Sequence, residues 1–303
     1  YWWLEEYQID GFRHDAAKHI PLTFWRMLTE KINSGIVAAE QRPVYQLGET
    51  YGGVELIGSY IGSGLLDAQF DFNVYDAALG AFAGGQDFDV LAGRLEESLR
   101  HYGAHNLMGY ITGNQDRGRF ISYAGGDLLF GEDAKKAGWT RNIGVGDTIG
   151  YRKLQMLMAF NMTIPGIPVI FYGDEFGMPG GNDPDCRRMM RFGESLNHME
   201  MKNLAVTRRL TSLRRENMAL LYGDMLFLKT EGKVLSYARK YFGNTVLVAF
   251  NNSPEAVELP APEGVFPEGA SLLSHFGNPV KQDKDRVFLS LAPFSFEIIT
   301  YNP

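Results

Sequence analysis

One cysteine, Cys186, stands among 303 residues. No intrachain disulfide can therefore staple the fold, while the compartment stays open because many exported proteins also lack disulfides. No stretch approaches the roughly 18 apolar residues of a membrane span. Positive charge is in deficit: 29 Lys and Arg stand against 36 Asp and Glu, a formal charge of −7. That leaves no basic surface for a phosphate backbone, so neither nucleic acid nor membrane is the expected partner. The six His are scattered without metal-ligand spacing. Gly144 to Gly150 is glycine-rich, but its spacing is wrong for a phosphate loop and no Lys-Ser/Thr follows. No internal repeat or low-complexity linker is present. No signal peptide is visible either, but the chain opens on Tyr1 and not Met. Tyr1 to Tyr7 reads as the tail of a helix already under way, so an export signal upstream stays open, as does the localisation.

What is present is a chain able to bury a large core. Apolar residues make up 45% and charged residues 21%, the opposite of a disordered composition. Ile9 to His14 reads as a strand entering a polar cluster, Asp15 to His19. Pro21 to Ile32 then reads as a helix with Phe24, Trp25, Leu28 and Ile32 at helical spacing. Further strands are expected at Val44–Glu49, Leu65–Phe72, Leu107–Thr112 and Ile167–Tyr172. Helices are expected at Val54–Ile61, Phe88–Tyr102, Tyr151–Met162 and Asn203–Glu216, and Arg117 to Gly150 reads as one long polar loop. This alternation predicts a parallel sheet with helices outside it. From Met225 the pattern changes to short strands at 225–228, 234–241, 245–250, 256–259 and 295–300, with turns at Gly243-Asn244 and Asn251 to Pro254. Two domains follow, an α/β part over 1–220 and an antiparallel β part over 221–303.

Three carboxylates, Asp15, Glu49 and Asp116, stand at or just past the ends of expected strands. On a parallel α/β barrel the C-terminal strand ends and their loops share one face, where catalytic groups sit. A carboxylate pair is the equipment for glycosidic cleavage, one attacking or activating water and the other protonating the leaving oxygen. Arg13, two residues before Asp15, lies on the same side of its strand and would keep that carboxylate ionised. Glu49 has Gly48 and Thr50 as chain neighbours and no cation beside it. An apolar pocket there would raise its pKa and suit it to donate a proton. Asp67 and Asp71 read as structural, and Asp174 and Glu175 as supports of the following loop. Cys186 has no His partner that would make it a nucleophile. Trp139, Tyr123 and Tyr51 lie in expected loops, where their rings are available to stack on sugars.

Gly11-Phe12-Arg13-His14-Asp15-Ala16-Ala17-Lys18-His19, Gly48-Glu49-Thr50 and Asn114-Gln115-Asp116 resemble three signature regions of the α-amylase family of retaining glycoside hydrolases, in the family's order. Pro165 to Glu175 resembles its eighth barrel strand, and Gly180 to Arg188 the following loop in the cyclomaltodextrinase and neopullulanase branch. The resemblance implies a partial (β/α)8 TIM barrel, strands four to eight, followed by an antiparallel β-sandwich C-terminal domain. It makes Asp15 the nucleophile, Glu49 the acid/base and Asp116 the carboxylate that grips sugar hydroxyls. Arg13 would hold the nucleophile, while Lys18, His19, Asn114, Gln115 and Arg187 would contact substrate. Gln115 stands where the family usually has His, and its amide can donate a hydrogen bond in that place. Retention predicts carboxyls about 5 to 5.5 Å apart.

The implied activity is cleavage of α-1,4-glucosidic bonds in starch, maltodextrin or cyclodextrin, or glycosyl transfer on the same substrates. No cofactor is required for the chemistry, and the resemblance admits a structural calcium. The family's first signature is absent, and Asn197-His198 is no substitute for it. Five parallel strands do not close such a barrel. The sequence therefore reads as a fragment, inactive alone, that associates through its open edges or with an N-terminal piece. A carbohydrate-binding scaffold without chemistry is the remaining alternative, and the three retained carboxylates count against it.

Overall fold

The computed structural model describes residues 1–103, 106–283 and 286–302. These group into two compact units, one of Tyr1–Tyr75, Arg94–Ile111 and Gly166–Pro168, the other of Asp76–Gly93, Thr112–Pro165 and Val169–Pro303.

Five short parallel strands run in chain order. β1 (Gly11–His14), β2 (Tyr45–Gly48) and β3 (Ala68–Gln69) form one sheet, with Gly11 opposite Tyr45, His14 opposite Gly48, and Gly48 opposite Gln69. A parallel bridge from Phe70 to Gly109 leads to β4 (Gly109–Ile111), which pairs with β5 (Ile167–Val169). Gly11 and Gly48 are the residues that allow this close approach: a Cβ on Gly11 would lie 1.9 Å from the Tyr45 carbonyl oxygen, and one on Gly48 2.6 Å from the Gln69 amide. The third strand is shorter than its apolar run suggests. The Asp67 carboxylate accepts the Gln46 amide at 2.7 Å, and Asp71 turns to accept Val74 N at 3.1 Å, so polar side chains end the ladder on both sides.

The helix Leu22–Ile32 buries Trp25 and Ile32, but Phe24, expected inward, is exposed. Trp25 turns in because its indole N–H donates to Ala17 O at 3.1 Å. The helix Ile149–Thr163 is buried on almost every side, as its sequence predicts. The last long helix, His198–Glu216, starts earlier than expected. Asn197 accepts the amides of Met199 and Glu200, and Glu200 reaches back to Asn197 N at 2.8 Å, a reciprocal capping box. The stretch expected as one long loop holds two short helices, Phe120–Ala124 and Ala134–Thr140, the latter capped by Asp133.

The C-terminal strands make two antiparallel sheets. One has the order β10-β13-β8-β7-β6 and the other β11-β12-β9, with β6 Asp224–Glu231, β7 Val234–Tyr241, β8 Asn244–Asn251, β9 Val257–Ala261, β10 Ser271–Ser274, β11 Val280–Asp283, β12 Arg286–Leu291 and β13 Ser295–Asn302. Leu247, Ala249 and Ile299 of the first sheet share a core with Leu259, Leu289 and Leu291 of the second, which makes the domain a sandwich. The sandwich and the helix His198–Glu216 finish the helix Ile149–Thr163: from the sandwich, Arg239 donates to Thr163 O and the buried Tyr237 hydroxyl meets Thr163 Oγ1 at 2.6 Å, and from the helix, Arg214 donates to Met162 O at 2.7 Å. These cations meet the negative end of the helix dipole. No helix among the described residues is long and apolar enough to cross a membrane.

Candidate active site

In the first unit, the end of β1 turns sharply onto the end of β2. Ala16 takes a left-handed backbone, φ 47°, which a residue with a Cβ adopts only under local compulsion. The compulsion is visible: Ala16 N donates to Glu49 Oε2 at 3.0 Å and Ala17 N to Glu49 O at 2.8 Å. Arg13 contacts Asp15 Oδ1 through one nitrogen and lies 3.5 Å from Glu49 Oε2 through another. The two carboxylates therefore share one guanidinium, with Asp15 open to solvent and Glu49 largely enclosed. The expected cation-free, apolar setting of Glu49 is not what the structure shows. Its charged partner comes from the neighbouring strand, since Arg13 stands opposite Leu47 and so two residues from Glu49.

Lys18 donates to Tyr51 O, in the loop after Glu49, at 2.9 Å, and the Tyr60 hydroxyl donates to Lys18 O at 3.0 Å. His19 is exposed, and so is Tyr51, whose ring packs edge-on against Phe72. His14 packs on Trp25, with a ring nitrogen 3.2 Å from Gln46 Oε1; burial pushes its pKa below the ordinary value.

In the second unit, Asn114, Gln115 and Asp116 follow β4. Asn114 is buried and its Oδ1 accepts Asp116 N at 2.9 Å, so it shapes the turn where a substrate contact was expected. The Gln115 amide, expected to reach a sugar hydroxyl, donates to Asp116 Oδ2 at 2.9 Å. Arg187 donates to Gln115 O at 3.1 Å and to Asp116 Oδ1 at 3.1 Å, and pairs with Asp183 at 3.0 Å. Cys186 is buried, its thiol donates to Gln115 O at 3.0 Å, and burial pushes its pKa up.

Sequence reasoning passed over Arg119. Its side chain is 1% exposed and paired with the buried Asp174 at 2.9 Å. It also donates to Tyr172 O at 2.7 Å and, through two nitrogens, to Cys186 O at 2.9 and 2.7 Å. Thr112 donates to the other Asp174 oxygen at 2.6 Å. Burial raises the Asp174 pKa, against the opposing pull of Arg119 and Thr112. The available signal was an arginine set immediately before the apolar run Phe120-Ile121. Among the described residues no group of three or more His, Cys, Asp or Glu is placed to hold a metal ion.

Parallel α/β strands bearing acidic residues just past their C-terminal ends, followed by an antiparallel sandwich, define the class of protein. Residues 1–217 match the family described as "Alpha amylase, catalytic domain", and residues 225–298 match "Maltogenic Amylase, C-terminal domain". The chain belongs to the α-amylase family. It is 30% identical over 306 residues to a cyclomaltodextrinase of Geobacillus thermopakistaniensis (strain MAS1), covering 97% of this chain and 45% of that protein. It is also 30% identical over 267 residues to a cyclomaltodextrin glucanotransferase of Bacillus sp. (strain 38-2), covering 84% of this chain and 32% of the relative. Among solved structures, an Anoxybacillus α-amylase aligns with a TM-score of 0.82 at 26% identity, covering 100% of this chain and 61% of that one. The α-amylase of Geobacillus thermoleovorans, solved with acarbose, aligns at 0.81 and 25% identity, covering 100% and 62%. The chain thus spans less than half the length of the cyclomaltodextrinase it matches.

Proposed function

We propose that this chain carries the cleavage chemistry of a retaining α-glucan hydrolase acting on maltodextrin, cyclodextrin or starch. In this reading Asp15 attacks the anomeric carbon and forms the glycosyl–enzyme bond while Glu49 gives its proton to the departing oxygen. Glu49 then takes a proton from water as that water breaks the Asp15–sugar bond, and both groups return to their starting state. Asp116 holds sugar hydroxyls, and Arg187, Lys18 and His19 contact the substrate. Arg13 contacts the Asp15 side chain directly.

The observation that carries this reading is the single guanidinium shared by Asp15 and Glu49 at the ends of adjacent parallel strands. Two carboxylates held by one such group suit the short spacing that retention needs better than the wider one of inversion. The acarbose complex of a family relative and the names of the curated relatives support an oligosaccharide substrate. The match to a glucanotransferase supports transfer to a sugar acceptor as the second reading.

We also read the five strands as strands four to eight of an eight-stranded barrel, with the catalytic part over 1–220 and the sandwich over 221–303. The 45% coverage of the cyclomaltodextrinase supports this, and turnover then belongs to the full-length protein. Maltoheptaose with the full-length protein, followed by proton NMR, tests the chemistry: the α-anomer should appear first, and a first-formed β-anomer overturns retention. Glu49→Ala should lose hydrolysis of maltoheptaose yet keep the glycosylation step on an aryl glucoside whose leaving group needs no proton. Equal loss on both substrates overturns the role of Glu49. Adding this chain to its separately produced N-terminal remainder should restore turnover that neither piece has alone; turnover by this chain by itself overturns the fragment reading.

A further inference from the structure

Beyond the carboxylates, the second unit holds one charged group with a geometry that reaches the substrate side without touching it. Arg119 is fully buried and lies against two aromatic rings, its guanidinium carbon 4.1 Å from the Phe171 centroid and 4.9 Å from that of Tyr172. One face of its fork takes the Tyr172 carbonyl and the Asp174 carboxylate, and the other takes the Cys186 carbonyl twice. Its own amide donates to Gly180 O at 3.0 Å. Both ends of the segment 180–186 are thus tied to one residue. The next residue is Arg187, whose guanidinium touches Gln115 O and Asp116 Oδ1.

We propose that Arg119 is a positioning residue for substrate binding: by fixing the Cys186 carbonyl it sets where the Arg187 guanidinium meets Asp116, and so sets the affinity for glucan. This rests on the reading of Asp116 and Arg187 as substrate contacts. Charge alone would not do this work. A planar fork holds three acceptors from two chain segments in fixed directions, whereas a lysine ammonium is a point charge on a flexible stem. A residue that only neutralised Asp174 would be replaceable by Lys. One that aims the loop would not.

The test uses the full-length protein and maltoheptaose. Arg119→Lys should raise KM roughly tenfold with kcat within about threefold of wild type, the signature of lost binding in place of lost chemistry. In an Arg187→Ala background the same substitution should change KM no further, because both act on one contact. Wild-type KM in a folded Arg119→Lys protein overturns the proposal, and so do independent, multiplying effects in the double variant. Should Arg119→Lys not fold, Thr112→Val serves. It removes the hydrogen bond to Asp174 and the acceptor of Phe171 N at 3.1 Å, leaves Arg119 in place, and should raise KM about threefold, again only while Arg187 is present. No change with Thr112→Val overturns the proposal equally. The hydrolase reading fails separately, through a wild type that leaves maltoheptaose intact. The coupling of residues 119 and 187 is then still read from maltoheptaose binding by calorimetry.

Discussion

Replacing Arg13 tests the feature on which the proposed chemistry stands. The side chain is 33% exposed, contacts Asp15 and lies 3.5 Å from Glu49. Opposite charges about 4 Å apart interact by roughly 1 kcal/mol in water and roughly 4 kcal/mol at the effective dielectric near a protein surface. A guanidinium one-third open to solvent falls toward the lower figure, so each contact is worth about 1 to 1.5 kcal/mol. Arg13→Met, which loses both, should lower kcat/KM about a hundredfold. Arg13→Lys keeps the charge beside Asp15, but its ammonium does not span to Glu49, so the loss should be about tenfold. The assay is kcat/KM for maltoheptaose in the full-length protein, with circular dichroism to confirm the fold. A Lys variant within twofold of wild type, or Lys and Met variants of equal activity, would refute the shared-guanidinium argument.

Glu297 is fully buried and accepts the amides of His275, Phe276, Asn278 and Ile298 at 2.7 to 3.0 Å. Glu297→Ala leaves those donors without an acceptor and should cost about 3 to 5 kcal/mol in urea unfolding. Glu297→Gln keeps one carbonyl oxygen and should cost less; the reverse order refutes the assignment. Asp71 has its pKa raised by burial from 3.8, so the folded state holds a proton that the unfolded chain releases. Stability is then lost as pH rises above 3.8 and levels off once the pH passes the raised folded value. The melting-temperature gain of Asp71→Asn should follow the same course, and a gain independent of pH contradicts it. Asn197→Ala, which removes the cap of the helix His198–Glu216, should cost about 1 kcal/mol, measured by thermal unfolding.

Much of this could be read before any coordinates. Hydrophobic period and turn residues placed the five parallel strands, because each is a short apolar run closed by polar residues. The acidic residues followed, since a parallel sheet puts the polar ends of its strands on one side. What escaped was contact across chains of the sheet. The partner of Glu49 was sought among its sequence neighbours, whereas the pairing of His14 with Gly48 brings it from the adjacent strand. Arg119 escaped because a buried arginine looks like a surface one in sequence; only the carbonyls of Tyr172 and Cys186, 53 and 67 residues away, reveal it. In the sandwich, β10 to β12 were missed, and β9, expected at 256–259, runs from Val257 to Ala261. Pro260 within β9, and the Gly and Pro between these strands, read as loop, although antiparallel pairing with Phe288 tolerates that proline.

The arginines that close the helix Ile149–Thr163 bear on how this protein can be taken apart. The change from α/β to all-β pattern near residue 220 looks like a seam, and domain shuffling would be expected to cut there. Yet a chain ended at 220 would lose Arg239 and Tyr237, and with them the side-chain donor to the Thr163 carbonyl and the phenol that meets the Thr163 hydroxyl. The seam in the pattern is therefore not a seam in cooperativity: the sandwich acts as the last turn of a helix that precedes it by more than sixty residues. Transplanting either part onto another scaffold requires carrying that helix end along.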